Sequence, residues 1–449
     1  MEALVVDATL ARLRAALEHD DLEGAATIIE TLRPADQAEL FSELNDTHQA
    51  ALLRELEPAD SADILEKMDD QQAARLIDGL PTASVIRIVD EMQSDEAADL
   101  LGDIHPSQAR AVLAGLEAPD DVQPLMMHRD DSAGGLMSSE FLALRARVTV
   151  AQAIHEIRNW EPATVNFFYL FVVDDDGKLR GTVSLQQLIL AAPETRLEDI
   201  MSTDVISVHV STDQEQVAHL MSRYDLLELP VVDADNLLLG VITVDDIVDV
   251  LVDEATEDIQ RLGGAQSMAG SYLDTSVLTV AQKRVGWLLI LFVTESLTGS
   301  VLRLFESELQ TVVALSFFVP LLIGTGGNAG SQTTSTIIRA LAVGDIHLGD
   351  AARAFWHEMR TGLLLGLGMS IVAYLRALTW GTSPALAATV SLSIAAIVVW
   401  ANALGSLLPL LAVRLHVDPA IVSGPVMSTL VDATGLFIYF SFAKYMLGL

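Results

Sequence analysis

Within the first 118 residues, a hydrophobic position recurs every 12 residues from Leu32 onwards, without a gap. These anchor positions are Leu32, Leu44, Leu56, Met68, Leu80, Met92 and Ile104. After each anchor come a proline or short polar residue and then apolar residues at helical spacing, which predicts a turn followed by a short helix. Helices this short cannot bury their apolar faces alone, so we expect them to stack as a superhelical solenoid.

A different repeat covers residues 137–258, where two segments match at an offset of 59 residues. The segments are FVVDDDGKLRGTVSLQQL, from Phe171 to Leu188, and PVVDADNLLLGVITVDDI, from Pro230 to Ile247. Each predicts a strand, an acidic turn, a second strand and a helix capped by Ser184 or Thr243. The pattern resembles a tandem pair of cystathionine-β-synthase (CBS) domains, which implies an α/β fold that often senses adenine nucleotides.

The C-terminal third contains five apolar stretches long enough to cross a bilayer as helices, which takes about 20 residues each. They are Val285–Phe305, Val312–Ala340, Ala354–Leu378, Leu386–Val413 and Ala420–Leu447. Basic residues cluster at alternate ends of these stretches, so the positive-inside bias predicts a cytoplasmic N-terminal part and a C-terminus outside. The start of the chain lacks the pattern of a cleaved signal peptide.

Charge and apolar residues occupy different parts of the chain. The 449 residues have a formal charge of −36 and no cysteine, yet 51 % are hydrophobic. Residues 284–449 contain eight acidic and eight basic side chains, so the whole negative excess precedes them. This distribution excludes a single globular domain, a disulfide scaffold, a Cys-ligated zinc site and a nucleic-acid-binding protein, which needs a basic face.

Acidic side chains recur every three or four residues between the second α/β repeat and the first apolar stretch. They are Asp246, Asp249, Asp253, Glu254, Glu257 and Asp258. Like charges at this spacing destabilise a helix unless a cation neutralises them, and hard divalent cations favour clustered oxygen ligands. Two interpretations are open: a divalent-cation sensor, or a solvated connector.

Two features inside the apolar stretches are candidate functional features. Asp432 lies near the middle of the last stretch, where a charge is costly; it marks either a functional site or a carboxylate hydrogen-bonded for helix packing. The second stretch contains Pro320 and four glycines in PLLIGTGGNAGSQTT. Such a segment is tolerated in a membrane where backbone carbonyls line a cavity, which is what we expect here.

The chain as a whole resembles the MgtE family of magnesium channels. The shared segments are EATEDI at Glu254–Ile259, GTGGNAGSQ at Gly324–Gln332, DPA at Asp418–Ala420 and TLVDATGLFIY at Thr429–Tyr439. The resemblance implies a multi-domain fold. Its parts are an all-α superhelical N domain over 1–130, CBS domains over 131–200 and 201–258, a plug-like connecting helix over 259–283 and an α-helical pore domain of five transmembrane helices over 284–449. It also implies a homodimer whose pore lies between the subunits and is lined mainly by the second and fifth spans.

The resemblance further implies site residues. Asp432 selects hydrated Mg²⁺ in the pore. The carboxylates that bind cytosolic Mg²⁺ and hold the pore shut fall at Asp418, Asp225, Asp246, Asp249, Glu254, Glu257 and Asp258, and in the helical repeat at Asp63, Asp95 and Asp99. ATP is a candidate ligand of the second CBS domain, where Thr243 and Asp246 match the ribose-holding motif; the first has Gln187 instead. A dimerising CBS pair without a ligand is the alternative.

We therefore expect a Mg²⁺-selective channel of the cell (inner) membrane that takes up Mg²⁺ down the membrane potential and is closed by cytosolic Mg²⁺. A proton-coupled or nucleotide-regulated secondary transporter, with Glu295 and Asp432 as proton carriers, is one alternative. A membrane-anchored sensor without transport is another. The expected partners are Mg²⁺, membrane lipid and a second copy of the chain; no nucleic acid, other protein or enzymatic activity is indicated.

Overall fold

The computed structural model describes residues 2–160, 167–266, 275–422 and 424–449. The chain divides into two compact units, Met1–Val252 and Asp253–Leu449. The first contains the acidic solenoid and the α/β repeats, and the second contains the apolar helices. This division follows the separation of charge and hydrophobicity along the sequence.

The first unit begins with a stack of short helices. They are α1 Glu2–Glu18, α2 Leu22–Glu30, α3 Pro34–Ser42, α4 Asp46–Glu55, α5 Pro58–Glu66, α6 Asp70–Asp78, α7 Thr82–Val89, α8 Ser94–Asp103, α9 Pro106–Leu113 and α10 Pro119–Val122. From α3 to α9 each helix begins 12 residues after the previous one, which confirms the predicted period. Proline opens α3, α5 and α9, because the first turn needs no N–H donor there. Six of the seven predicted anchors, from Leu44 to Ile104, are buried in one continuous core, and the partly buried Leu32 packs against it.

The rest of the first unit consists of two similar α/β repeats. The first contains β1 Ala143–Arg145, α11 Val150–Asn159, β2 Tyr169–Val173, β3 Leu179–Ser184, α12 Leu185–Leu190 and α13 Leu197–Ile200. The second contains β4 Val208–His209, α14 Gln214–Tyr224, β5 Glu228–Val232, β6 Leu238–Thr243 and the start of α15 Val244–Leu262, whose second half belongs to the second unit. In each three-stranded sheet the first pair of strands is parallel and the second antiparallel. The predicted CBS architecture is confirmed.

The connector differs from the predicted single helix over 259–283. Helix α15 continues through the acidic segment as far as Leu262. Gly264 then adopts a left-handed backbone with φ of +71°, a conformation that favours glycine and ends the helix. Residues 267–274 lie outside the described residues, and Val277 already begins the first apolar helix, which Ser276 caps through a side-chain hydrogen bond.

The second unit is built from long apolar helices. They are α16 Val277–Leu304, the short α17 Glu306–Thr311, α18 Val319–Ala342, α19 Ala351–Thr379, α20 Pro384–Arg414 and α21 Gly424–Leu447. Five of these helices are long and apolar enough to cross a membrane, as predicted. Helices α18, α20 and α21 pack together around a core that includes Ile397, Val431 and Tyr439.

The glycine-rich segment of α18 is a regular helix and not an irregular cavity lining. Pro320 lies in its first turn, where the missing N–H costs no helical hydrogen bond. The glycines instead allow close helix packing: a Cβ on Gly330 would lie 2.6 Å from Met427 Cε. The expectation of freed carbonyls was therefore wrong, because small residues at a helix interface bring two backbones together without breaking either helix.

Candidate functional sites

Asp432 lies on α21 where this helix packs against the glycine-rich part of α18. A Cβ on Gly327 would lie 3.1 Å from Ser428 Oγ and 3.7 Å from Asp432 Oδ1. The Asp432 side chain is only 9 % exposed. The Oδ1 atom of Asp432 has no hydrogen-bond partner among the described residues. An oxygen buried without a donor is costly, and a cation or its hydration water would remove that cost.

The C-terminal part of α21 is fixed by polar contacts to the segment before α18. Tyr439 Oη donates a hydrogen bond to the Leu315 carbonyl oxygen at 3.1 Å, and Lys444 Nζ donates to Glu308 Oε1 at 2.9 Å. Hydrogen bonds from Ser307 and Lys444 lower the pKa of Glu308 to about 2. This ion pair therefore stays charged at any physiological pH and helps to hold the helix that carries Asp432.

A buried polar network that the sequence interpretation missed links α18, α19 and α20. Thr333 Oγ1 donates to Asn402 Oδ1 at 2.8 Å and lies 3.4 Å from Glu358 Oε2. Asn402 Nδ2 donates to the Val398 carbonyl oxygen at 2.8 Å. Glu358 is 8 % exposed. The sequence contained a signal for this network, because Glu358 is an acidic residue inside an apolar stretch.

In the first unit, the structure brings two of the predicted carboxylates together. Asp95 of α8 is 6 % exposed, and its Oδ1 has no hydrogen-bond partner among the described residues. Burial, followed by the charge of Asp246, raises the pKa of Asp95 well above its usual range. Burial raises the pKa of Asp246 to about 6. Thr243 Oγ1 donates a 2.7 Å hydrogen bond to Asp246, which favours the charged form and partly offsets the effect of burial. Thr243 and Asp246 thus also cap α15.

Further acids surround this pair. Burial and the charges of Asp95 and Glu66 raise the pKa of Glu96, which the sequence interpretation did not single out, to about 9. Burial and Asp130 raise the pKa of Asp99 to about 7. Burial and Asp60 raise the pKa of the half-buried Asp63. The region therefore packs more carboxyl groups than its cations neutralise.

We predict that the packing of this acidic region depends on pH. The raised pKa values of Glu96 and Asp99 mean that the packed state binds protons which an opened state releases. Its stability is greatest at low pH and is lost as the pH rises through about 7 towards about 9. In chelator, chymotrypsin should cut this region roughly threefold faster at about pH 8.5 than at about pH 6.5, relative to an unfolded substrate. A divalent cation should abolish the difference; equal rates in chelator would contradict the prediction.

The end of the connector forms a second acidic cluster, within the second unit. Burial, and then the charges of Asp418 and Glu254, raise the pKa of Asp258. Arg261 forms ion pairs with both Glu257 and Asp418. Asp418 lies in the loop between α20 and α21, and its Oδ1 accepts a hydrogen bond from the Ala420 N–H at 2.7 Å. The structure thus places the predicted ligands Glu257, Asp258 and Asp418 near one another.

The turn that follows α15 packs against the first apolar helix. A Cβ on Gly264 would lie 2.2 Å from Trp287 Nε1, an indole N–H that is buried without a partner among the described residues.

Gly264→Ala should therefore push the turn away from Trp287 and add roughly 1 kcal/mol or more of left-handed strain. Chymotrypsin should cut the connector of this variant faster. Gly263→Ala is the matched control, since its Cβ would be 3.3 Å from the nearest atom, the Gln260 carbonyl oxygen; equal cutting of the two variants would contradict the prediction.

The other predicted ligands are exposed. Asp225 takes a left-handed conformation with φ of 52° at the end of α14, and Asp249 lies on the exposed side of α15. Within the described ranges, no three acidic or histidine side chains converge closely enough to hold a metal ion. The described part of a single chain therefore presents pairs of ligands and no complete coordination shell.

A small, mostly apolar groove lies beside Thr243. Its lining includes Phe141, Trp160, Phe167 and Tyr169. Glu228 closes one side, and its carboxylate accepts a hydrogen bond from the Phe168 N–H at 2.6 Å. Flat aromatic walls with a polar edge suit a planar ring.

An acidic domain in which an oxygen of Asp95 is buried without a partner among the described residues, followed by membrane helices that carry the buried Asp432, is typical of a membrane transport protein for cations. A comparison of the chain with sequence models of known protein families identifies the family. The divalent cation transporter model of MgtE matches residues 319–442, the MgtE intracellular N domain matches 32–126, and CBS domains match 133–194 and 197–253. The chain belongs to the MgtE family of magnesium transporters.

Individual relatives agree with this assignment. The magnesium transporter MgtE of Thermus thermophilus is 45 % identical over 327 residues, covering 73 % of this chain and 72 % of that protein. The Bacillus subtilis magnesium transporter MgtE is 31 % identical over 445 residues, covering 99 % of this chain and 98 % of that protein. A solved structure of the cytosolic domain of the Mg²⁺ channel MgtE in complex with ATP is 34 % identical with a TM-score of 0.51, covering 54 % of this chain and 99 % of that chain.

Proposed function

We propose that the protein is a Mg²⁺-selective channel that imports Mg²⁺ down the membrane potential and that cytosolic Mg²⁺ closes. The observation that carries the proposal is Asp432, a buried carboxylate in a membrane helix with an oxygen that lacks a partner among the described residues. Ionisable residues in membrane helices mark ion pathways. We take the ion to be Mg²⁺ because the relatives to which the chain is similar are magnesium transporters.

The chemistry of Mg²⁺ suits this site. Mg²⁺ releases its hydration water reluctantly and prefers octahedral oxygen surroundings. A pore that passes the ion with much of its water needs few carboxylates, small residues and polar groups, which α18 and α21 supply around Asp432. A divalent ion entering a negative interior gains about 4.6 kcal/mol per 100 mV. That driving force makes proton coupling unnecessary.

We infer that two copies form the pore, with the second and fifth spans as its lining. Only 6 % of the apolar window of α16 is buried within the chain, so lipid and a second copy are the surfaces that would cover it. The protein then lies in the cell (inner) membrane with its acidic domains in the cytoplasm and its C-terminus outside.

Gating follows from the acidic clusters. Without Mg²⁺, carboxylates such as Asp95 and Asp246 repel one another, and the cytosolic part opens. Mg²⁺ bound among them replaces the missing positive charge and favours the compact state, so that the connector closes the pore. The ligands proposed for this role are Asp63, Asp95, Asp99, Asp225, Asp246, Asp249, Glu254, Glu257, Asp258 and Asp418. This is a two-state element biased by differential ion binding.

ATP is proposed as a second ligand, in the aromatic groove beside Thr243. The similar cytosolic domain solved in complex with ATP supports this proposal. Equilibrium dialysis with labelled ATP should show binding to the wild type and weaker binding to Thr243→Val, which loses the hydroxyl near the expected ribose. No retention of ATP by the wild type would leave the CBS pair as a dimerising module.

The test of the transport proposal is flux into liposomes that contain the purified protein and a trapped Mg²⁺ indicator. Uptake should rise with an inside-negative potential and should continue unchanged when the pH gradient is collapsed. Loss of uptake with the pH gradient would favour proton exchange through Glu295 and Asp432. No flux under either condition would favour a sensor that does not transport.

A further inference from the structure

Arg261 in the last turn of α15 contacts two carboxylates from different parts of the second unit. Its Nη2 pairs with Glu257 Oε1, one helical turn earlier, and its Nη1 pairs with Asp418 Oδ2 in the loop between α20 and α21. All three side chains are partly buried, with exposures of 38 %, 25 % and 27 %. Partial burial limits the screening that weakens exposed ion pairs.

The geometry of Arg261 makes this contact a bridge. A guanidinium presents separate N–H donors in a rigid fork, so one side chain binds two carboxylates at once. Asp418 is oriented for it, because its second oxygen is held by the Ala420 N–H at 2.7 Å. Arg261 thereby joins the connector end to the α20–α21 loop through side chains of this chain. The two carboxylates are among the proposed Mg²⁺ ligands, so the guanidinium and the ion need the same oxygens.

We propose that Arg261 is a built-in competitor of Mg²⁺ at the connector, and that it sets the Mg²⁺ concentration at which the connector locks. At low Mg²⁺ the guanidinium bridges Glu257 and Asp418 and keeps the connector near its docking loop. At high Mg²⁺ the ion takes these oxygens and the guanidinium leaves them. Arg261 is thus a positioning residue that raises the threshold for closure. This inference rests on the proposed gating function.

The test compares three variants of the full-length protein in detergent, with chymotrypsin cutting as the readout. Arg261→Gln removes the charge, and Arg261→Lys keeps the charge but lacks the forked donors. Arg353→Gln removes an exposed arginine at the start of α19 and is the matched control. Chymotrypsin is used because none of these substitutions removes one of its cleavage sites. Gel filtration checks that each variant stays folded.

Arg261→Gln should lower the half-protecting Mg²⁺ concentration roughly threefold to tenfold, the range expected from losing two partly buried ion pairs. It should also speed cutting of the connector in chelator, where the guanidinium is the only proposed bridge. Arg261→Lys should lie between Arg261→Gln and the wild type, and Arg353→Gln should match the wild type.

An unchanged or higher half-protecting concentration for Arg261→Gln, with normal Mg²⁺ protection of the wild type, would overturn the role of Arg261 and leave the gating proposal intact. If Mg²⁺ gives the wild type no protection at all, the gating proposal fails, and the inference fails with it. The two failures are therefore distinguishable in one experiment.

Discussion

Asp432→Ala is expected to lower Mg²⁺ flux into liposomes by roughly tenfold or more, or to abolish the preference for Mg²⁺ over Ca²⁺. The carboxylate is 9 % exposed and has an oxygen without a partner among the described residues. Its removal takes away the charge that offsets the partial dehydration of an entering cation. The measurement is indicator-detected flux with Mg²⁺, Mn²⁺, Co²⁺ and Ca²⁺ in parallel.

Glu295→Gln is the matched control for this substitution. Glu295 is the exposed acid of α16, a different membrane helix. If Asp432 alone selects the ion, Glu295→Gln keeps ion preference and most of the flux. Unaltered flux and selectivity in Asp432→Ala would remove the basis of the channel proposal. A comparable loss in Glu295→Gln would point to a pair of carboxylates and revive the proton-coupled alternative.

Asp95→Asn is expected to flatten the response of the cytosolic part to Mg²⁺. The wild type should be cut several times faster by chymotrypsin in chelator than in millimolar Mg²⁺, whereas the variant should be cut slowly in both. The reason is that Asp95 is buried beside Asp246, so the packed state must take up a proton or a cation there. An amide has no charge to neutralise, and the compact state forms without either.

Glu91→Gln is the control for Asp95→Asn, because it removes the same charge from an exposed position just before α8. Its Mg²⁺ response should equal that of the wild type. Strong Mg²⁺ protection that persists in Asp95→Asn would show that the Asp95–Asp246 pair does not control compaction. The dependence on pH predicted for this region should weaken in Asp95→Asn for the same reason.

The sequence was most informative where a period or a composition reflects one physical constraint. The 12-residue repeat predicted every helix start from α3 to α9, because each unit must bury the same face. Hydropathy predicted five spans, because a bilayer requires about 20 apolar residues in helical form. The offset of 59 residues predicted two matching sheets. Asp432 was identifiable because an acid among apolar residues is rare.

The contacts between distant segments could not be read from the sequence. The pairing of Asp95 with Asp246 depends on how α8 docks, through Ser94, whose Oγ lies 3.1 Å from Ser138 Oγ. The bridge from Arg261 to Asp418 joins residues 157 positions apart. The resemblance implied one connecting helix over 259–283, yet α15 ends at Leu262 and the left-handed Gly264 follows it.

The even spacing of α3 to α9 has an evolutionary consequence. Because every unit has the same length and helices two units apart pack against each other, the loss or duplication of two successive units would keep the same contacts in the rest of the stack. A deletion of half a unit would instead expose the apolar face of the next helix to solvent. The length of the solenoid can therefore differ between related proteins by pairs of units, while the helix that carries Asp95 keeps its contacts with the CBS domains.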